Sequence, residues 1–94
     1  MNPIVIDPEN MDHAARLRRL QASLASNKLD CLLITHLPNV HYLCGFTGSA
    51  AALLVKERGC ILFTDGRYRA QAEQEVKGAK IVIARKSPLW AAAA

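Results

Sequence analysis

Three stretches of the 94-residue chain carry side chains able to do chemistry. His36, His41 and Cys44 form an H-x4-H-x2-C series of metal-capable groups. A closed zinc site needs four ligands, and this spacing matches none of the familiar sets and has no fourth ligand nearby. Structural roles are therefore expected for all three, and no metal site is assigned. The loop Gly45-Phe46-Thr47-Gly48-Ser49 is the second candidate. Its Gly45-x-x-Gly48 spacing gives backbone freedom but precedes a strand and lacks the lysine of a Walker loop. The dinucleotide fingerprint is also absent. Ser49 lies outside any G-x-S-x-G elbow, so it is read as a strand-start residue bonding local backbone.

The third stretch is Asp65-Gly66-Arg67-Tyr68. Asp65 is placed to cap a helix, and Arg67 to meet a carboxylate or carbonyls. Asp7, Asp30 and Asp65 all sit at element boundaries, where caps and turns account for them. A carboxylate pair poised for acid–base work is not visible. No catalytic residue is assigned.

The elements that position these residues can be read from periodicity. Asp7-Pro8 and Asp12 are alternative helix starts, and Leu17, Leu20 and Leu24 supply an apolar stripe with Arg16, Arg18 and Arg19 between them. That pattern predicts an amphipathic helix to about Ser26, stopped by a left-handed Asn27, with His13 on its surface. Asp30 to Thr35 reads as a buried interior strand. Pro38 opens a short helical turn that Gly45 ends. Ala51–Val55 and Cys60–Thr64 form an antiparallel hairpin across Lys56-Glu57-Arg58-Gly59, with Gly59 supplying a positive φ. A second helix is expected from about Arg67 to Val76, with Tyr68, Ala72 and Val76 inward and Gly78 as its stop. Lys80–Ala84 is a fourth strand. The fold class is α/β, a mixed sheet with helices packed on it.

Composition bounds the rest. Half the residues are apolar and a fifth charged, which is ordinary for one globular domain. No run approaches the roughly 20 apolar residues of a membrane span, and no secretory leader is evident, so a cytoplasmic location is expected. Cys31, Cys44 and Cys60 are odd in number and widely spaced, as for reduced, mostly buried thiols. The net charge of +4 admits a nucleic-acid partner. Acids are interspersed and aromatic residues few, so the basic residues are read as solvated faces, with neither nucleic acid nor membrane as partner. The fourth strand leaves an exposed edge, and the lone Trp90 beyond it points to more chain or a partner there. Residues 1–11 are read as an N-terminal arm, 12–90 as the domain, and Ala91–Ala94 carries no fold information.

Leu29-Asp30-Cys31-Leu32-Leu33-Ile34-Thr35, then Leu37-Pro38-Asn39-Val40-His41-Tyr42-Leu43-Cys44-Gly45-Phe46-Thr47-Gly48-Ser49, then Leu62-Phe63-Thr64-Asp65-Gly66-Arg67-Tyr68 occur in this order. Together with the opening helix, they resemble the N-terminal domain of the creatinase/prolidase/aminopeptidase P family from about residue 12 to 84. Cys44 departs from the Ser or Thr common there. The resemblance implies a mixed sheet flanked by helices with a ribonuclease H-like motif, short of the domain's last elements. It implies a non-catalytic domain of a Xaa-Pro dipeptidase, an aminopeptidase P or a creatinase-like enzyme. The catalytic part would be a separate C-terminal pita-bread domain, with two divalent metal ions held by carboxylates and a His. No cofactor is implied for this chain itself, which alone would be inactive. The domain would pack on its catalytic partner and support a homodimer or larger homo-oligomer. Phe46, Thr47, Gly48 and Ser49 would then wall a substrate pocket or sit in an interface, while Asp65, Arg67 and Tyr68 form a structural turn. A free-standing dimerisation module is the alternative.

Overall fold

The computed structural model describes residues 13–85. The expected arm, the Asp7 and Asp12 caps, Trp90 and the alanine tail lie outside the described residues. Helix α1 spans His13–Ser26, β1 Cys31–Ile34, α2 Leu37–Cys44, β2 Ala51–Lys56 and β3 Gly59–Asp65. A 3₁₀ turn, Gly66–Tyr68, leads into α3 (Arg69–Glu75), and β4 is Lys80–Ala84. The sheet order is β1-β2-β3-β4. The first three strands form an antiparallel meander. β4 runs parallel to β3, which requires a crossover, and α3 is that crossover. The expected mixed sheet with helices is therefore present.

Alternation decides which strand residues face the helices. Leu53 pairs with Leu62 and Val55 with Cys60, so these four share one face. They join Leu17 and Leu24 of α1, Val40, Leu43 and Cys44 of α2, Phe46, and Ala72 of α3 in one buried cluster. All three helices thus pack on the same face. Each fully buried leucine contributes about 1.5–3 kcal/mol relative to an exposed one. The opposite face carries Leu33, Leu54, Ile61, Phe63 and Val82, all half-buried. Among the described residues Thr64 is the buried polar exception; its hydroxyl donates to the Ala50 carbonyl at 2.5 Å.

Several local expectations need correction. Lys28, not Asn27, is the left-handed residue after α1, with φ 58°. The amide of Leu29 bonds the Leu24 carbonyl at 2.9 Å, and that of Lys28 bonds Ala25 at 3.2 Å. These two bonds make a Schellman ending whose left-handed position falls one residue later than expected. Asn27 instead donates its side-chain amide to the Ser23 carbonyl. β1 is an edge strand among the described residues, with Cys31 and Leu32 exposed, rather than an interior one. An apolar run reports side-chain character and not the number of neighbouring strands. Gly59 is not left-handed; it opens β3, paired with Lys56. The second helix is shorter than expected: its first turn is 3₁₀, and extended Val76 ends it before the left-handed Gly78.

Candidate functional site

The Gly45–Ser49 loop joins the end of α2 to β2, and each of its residues has a specific restraint. Pro38 starts α2 without requiring an N–H, and Gly45 ends it at φ 88° with its amide bonded to His41. A Cβ on Gly45 would lie 2.8 Å from the Glu75 carbonyl oxygen and 3.3 Å from His13 Nε2, so two elements press on this position. The Phe46 ring is only 1% exposed and meets Tyr68 edge-on, with centroids 5.8 Å apart. It is the loop's anchor in the core and offers no apolar surface to a pocket. Gly48 lies against that ring so closely that a Cβ would be 2.3 Å from Phe46 Cζ.

The hydroxyls of the loop are exposed but engaged. The Thr47 amide donates to Glu75 Oε1 at 2.8 Å. The Thr47 hydroxyl lies 2.9 Å from both carboxylate oxygens and accepts from Gln71 Nε2 at 2.9 Å. Gln71 also donates to Glu75 Oε1 at 3.2 Å. Ser49 bonds the Tyr68 hydroxyl at 2.5 Å, and not the local backbone that its position in the sequence suggests. Its partner is a phenol and not a base, so the pair lacks the Ser–His relation that activates a nucleophile.

Electrostatics follow from these contacts. Burial acts to raise the Glu75 pKa, but the Thr47 amide and hydroxyl, Gln71 and the field of His41 outweigh it and leave the pKa lowered. Asp65 caps the 3₁₀ turn by accepting from the Arg67 amide at 3.0 Å, as expected. Its second oxygen pairs with the Arg67 guanidinium at 2.8 Å, and these side-chain bonds hold the Asp65 carboxyl below its ordinary range. Arg67 also leans over the Tyr68 ring at 5.3 Å. The pair is open to solvent, so it serves to orient the turn more than to stabilise it. The Tyr68 phenol is lowered, first by its bond to Ser49.

A second cluster ties α1 to α2. The Tyr42 carbonyl, free of an intrahelical partner at the end of α2, accepts from Arg16 Nη1 at 2.7 Å and lies 3.1 Å from His13 Nδ1. The His13 contact is a hydrogen bond in the tautomer protonated at Nδ1. The Arg16 guanidinium lies 3.9 Å over the Tyr42 ring. His13 is therefore half-buried and structural, not a free surface residue.

His36 and His41 are exposed while Cys44 is buried in the core, so the H-x4-H-x2-C series does not converge. Among the described residues no three His, Cys, Asp or Glu side chains are grouped as metal ligands. Cys44 and Cys60 are buried, and Cys31 is exposed, contrary to its expected burial. Burial raises both inner thiols, Cys60 to about 12. Sequence reading missed Glu75 and Gln71. Their i, i+4 spacing on α3 was the available signal for a shared face.

The family model described as the creatinase/prolidase N-terminal domain matches residues 16–94. Peptidase YqhT of Bacillus subtilis is 37% identical over 67 residues, which is 71% of this chain and 19% of that protein. The solved N-terminal domain of the cytoplasmic peptidase PepQ of Mycobacterium tuberculosis H37Rv is 46% identical, with a TM-score of 0.71, covering 76% of this chain and 56% of that one. The structure of an XXA-pro aminopeptidase from Streptococcus pyogenes is 38% identical, with a TM-score of 0.73, covering 78% and 57%. The chain therefore spans about a fifth of the Bacillus protein and a little over half of each solved chain. Among the described residues no helix is long and apolar enough to cross a membrane.

Proposed function

The chain belongs to the creatinase/prolidase N-terminal domain family, and from that premise we propose that it is the non-catalytic N-terminal domain of a Xaa-Pro dipeptidase or aminopeptidase P-like metallopeptidase. In this reading it packs on a C-terminal catalytic domain, supports homodimers or larger homo-oligomers, and helps to wall the active site. It works in the cytoplasm, as the name of the Mycobacterium relative has it for that protein. Two divalent metal ions, held by carboxylates and a His of the catalytic domain, would supply the hydrolytic chemistry.

One observation carries the role of the loop. The loop is held from both sides, by Glu75 at the Thr47 amide and by the Tyr68 hydroxyl at the Ser49 side chain, while Thr47 and Ser49 themselves remain exposed. A surface of fixed shape carrying hydroxyls suits positioning a small polar ligand or a facing domain. The same geometry supplies no base for Ser49, so the loop does not break bonds itself.

The test is a chimera in which residues 13–85 replace the matching segment of full-length Mycobacterium tuberculosis PepQ. The expected result is peptide hydrolysis that tracks the loop: Thr47→Ala with Ser49→Ala raises KM more than it lowers kcat. The present chain alone, given Mn²⁺, should show no turnover. Turnover by the chain alone would overturn the proposal. So would a folded, active chimera whose kcat and KM ignore the loop changes.

A further inference from the structure

We infer that Glu75 is the residue that positions the Gly45–Ser49 loop, holding it as a preformed wall instead of a lid that closes when a partner or substrate arrives. Its functional meaning rests on the peptidase reading, although the geometry does not.

Glu75 lies in the last turn of α3, far from the loop in sequence and in contact with it in space. One ionised group holds both the backbone and the side chain of Thr47, through bonds of 2.8 and 2.9 Å. Hydrogen bonds to a charged acceptor are shorter and stronger than neutral ones. Gln71, one turn earlier, bonds both the Glu75 carboxylate and the Thr47 hydroxyl, so neither side chain is free to turn away. The Glu75 main chain also backs the loop, its carbonyl oxygen lying against Gly45. Next to it, the Lys77 amide donates to the Cys44 carbonyl at 2.8 Å. On the other side of Gly48, the buried Phe46 ring and the Ser49–Tyr68 bond complete the hold. Restraints at Gly45, Thr47 and Ser49 leave no two adjacent loop residues free to act as a hinge.

The groups around Glu75 set how the hold responds to pH. From α2, His41 favours the carboxylate, and the thiol of Cys44 is raised partly by its charge. From α1, His13 reaches the Gly45 position beside the Glu75 carbonyl. Gln71, on α3 itself, is neutral. The folded-state pKa is lowered, so the contribution is present above the unfolded value and is lost as pH falls through the folded one. The loop is therefore held at neutral pH and released only in acid.

The experiment follows the Thr47 amide in the ¹⁵N-labelled chain from about pH 7 to about pH 2, a range that reaches well below the titration of an ordinary glutamate. The Thr47 resonance should titrate below the ordinary Glu range, and its protection from exchange should fall by about tenfold or more as the charged bond is lost. Amides of Val55 and Leu62 in the sheet serve as the folding control. Glu75→Gln keeps an acceptor oxygen without the charge and should abolish the Thr47 titration. Thr47→Val keeps the amide and should retain it. A Thr47 amide that does not titrate in the native chain, or one that titrates identically in Glu75→Gln, would overturn the inference. The readout concerns loop order in the free chain, so failure of the PepQ chimera would leave it standing, and its own failure would leave the peptidase reading open.

Discussion

Gly48→Ala is the sharpest steric perturbation available in this fold. Gly48 does not adopt a positive φ, so an alanine there meets no backbone strain. The added methyl would lie 2.3 Å from Phe46 Cζ, 2.6 Å from Cε2 and 3.0 Å from Tyr68 Cδ1. Real Cβ contacts do not come that close. The Phe46 ring cannot swing aside cheaply, because it is 1% exposed and packed within the core cluster. Moving Tyr68 instead breaks its bond to Ser49. Overpacking of this kind costs about 1–3 kcal/mol. In a domain of this size that lowers Tm by about 4–8 °C for each kcal/mol. The assay is a urea and thermal melt of four proteins: native, Gly48→Ala, Phe46→Leu and the double variant. Leucine lacks the two ring atoms nearest the new methyl, so the alanine penalty should shrink in its presence, with a coupling of about 0.5–3 kcal/mol. Gly59→Ala, where nothing lies within 4 Å, is the control and should stay within about 0.5 kcal/mol of native. A Gly48→Ala protein as stable as native, or an equal alanine penalty in the native and Phe46→Leu backgrounds, would mean that the Phe46 ring does not confine Gly48.

Other outcomes follow from the same geometry. Thr64→Val removes a buried hydroxyl and leaves the Ala50 carbonyl without that donor; it should cost about 1–3 kcal/mol in a denaturant melt. Thiol labelling at neutral pH should find Cys31 fast and Cys44 and Cys60 slow, because the latter two are buried and their thiols raised; denaturation should expose both. The carboxyls of Asp65 and Glu75 are both lowered, so stability should fall as pH drops through their folded values, and Glu75→Gln should flatten part of that decline in melts across the acid range.

Elements whose causes are local were legible from the residues alone. The Leu17, Leu20, Leu24 stripe made α1, and Leu17 and Leu24 are the residues it buries. Pro38 and Gly45 bracket α2 as expected, Asp65 caps the turn two residues ahead, and β2 and β3 form the antiparallel hairpin. Each of these depends on residues within a few positions of one another, where periodicity and cap chemistry are readable. The ordered motifs also carried the family, which matched residues 16–94. The character of the loop comes instead from contacts between residues far apart in the chain. Thr47 meets Glu75 across 28 positions, Ser49 meets Tyr68 across 19, and Arg16 reaches the Tyr42 carbonyl across 26. A carboxylate on a helix looks the same in sequence whether it faces water or closes a loop. The place of β1 at the sheet edge among the described residues was hidden for a like reason, since strand neighbours come from the fold's topology and not from the strand's own residues. Phe46 shows the limit most plainly: its type suited a pocket wall, but the packing of α2, α3 and the sheet around it placed the ring inside the core.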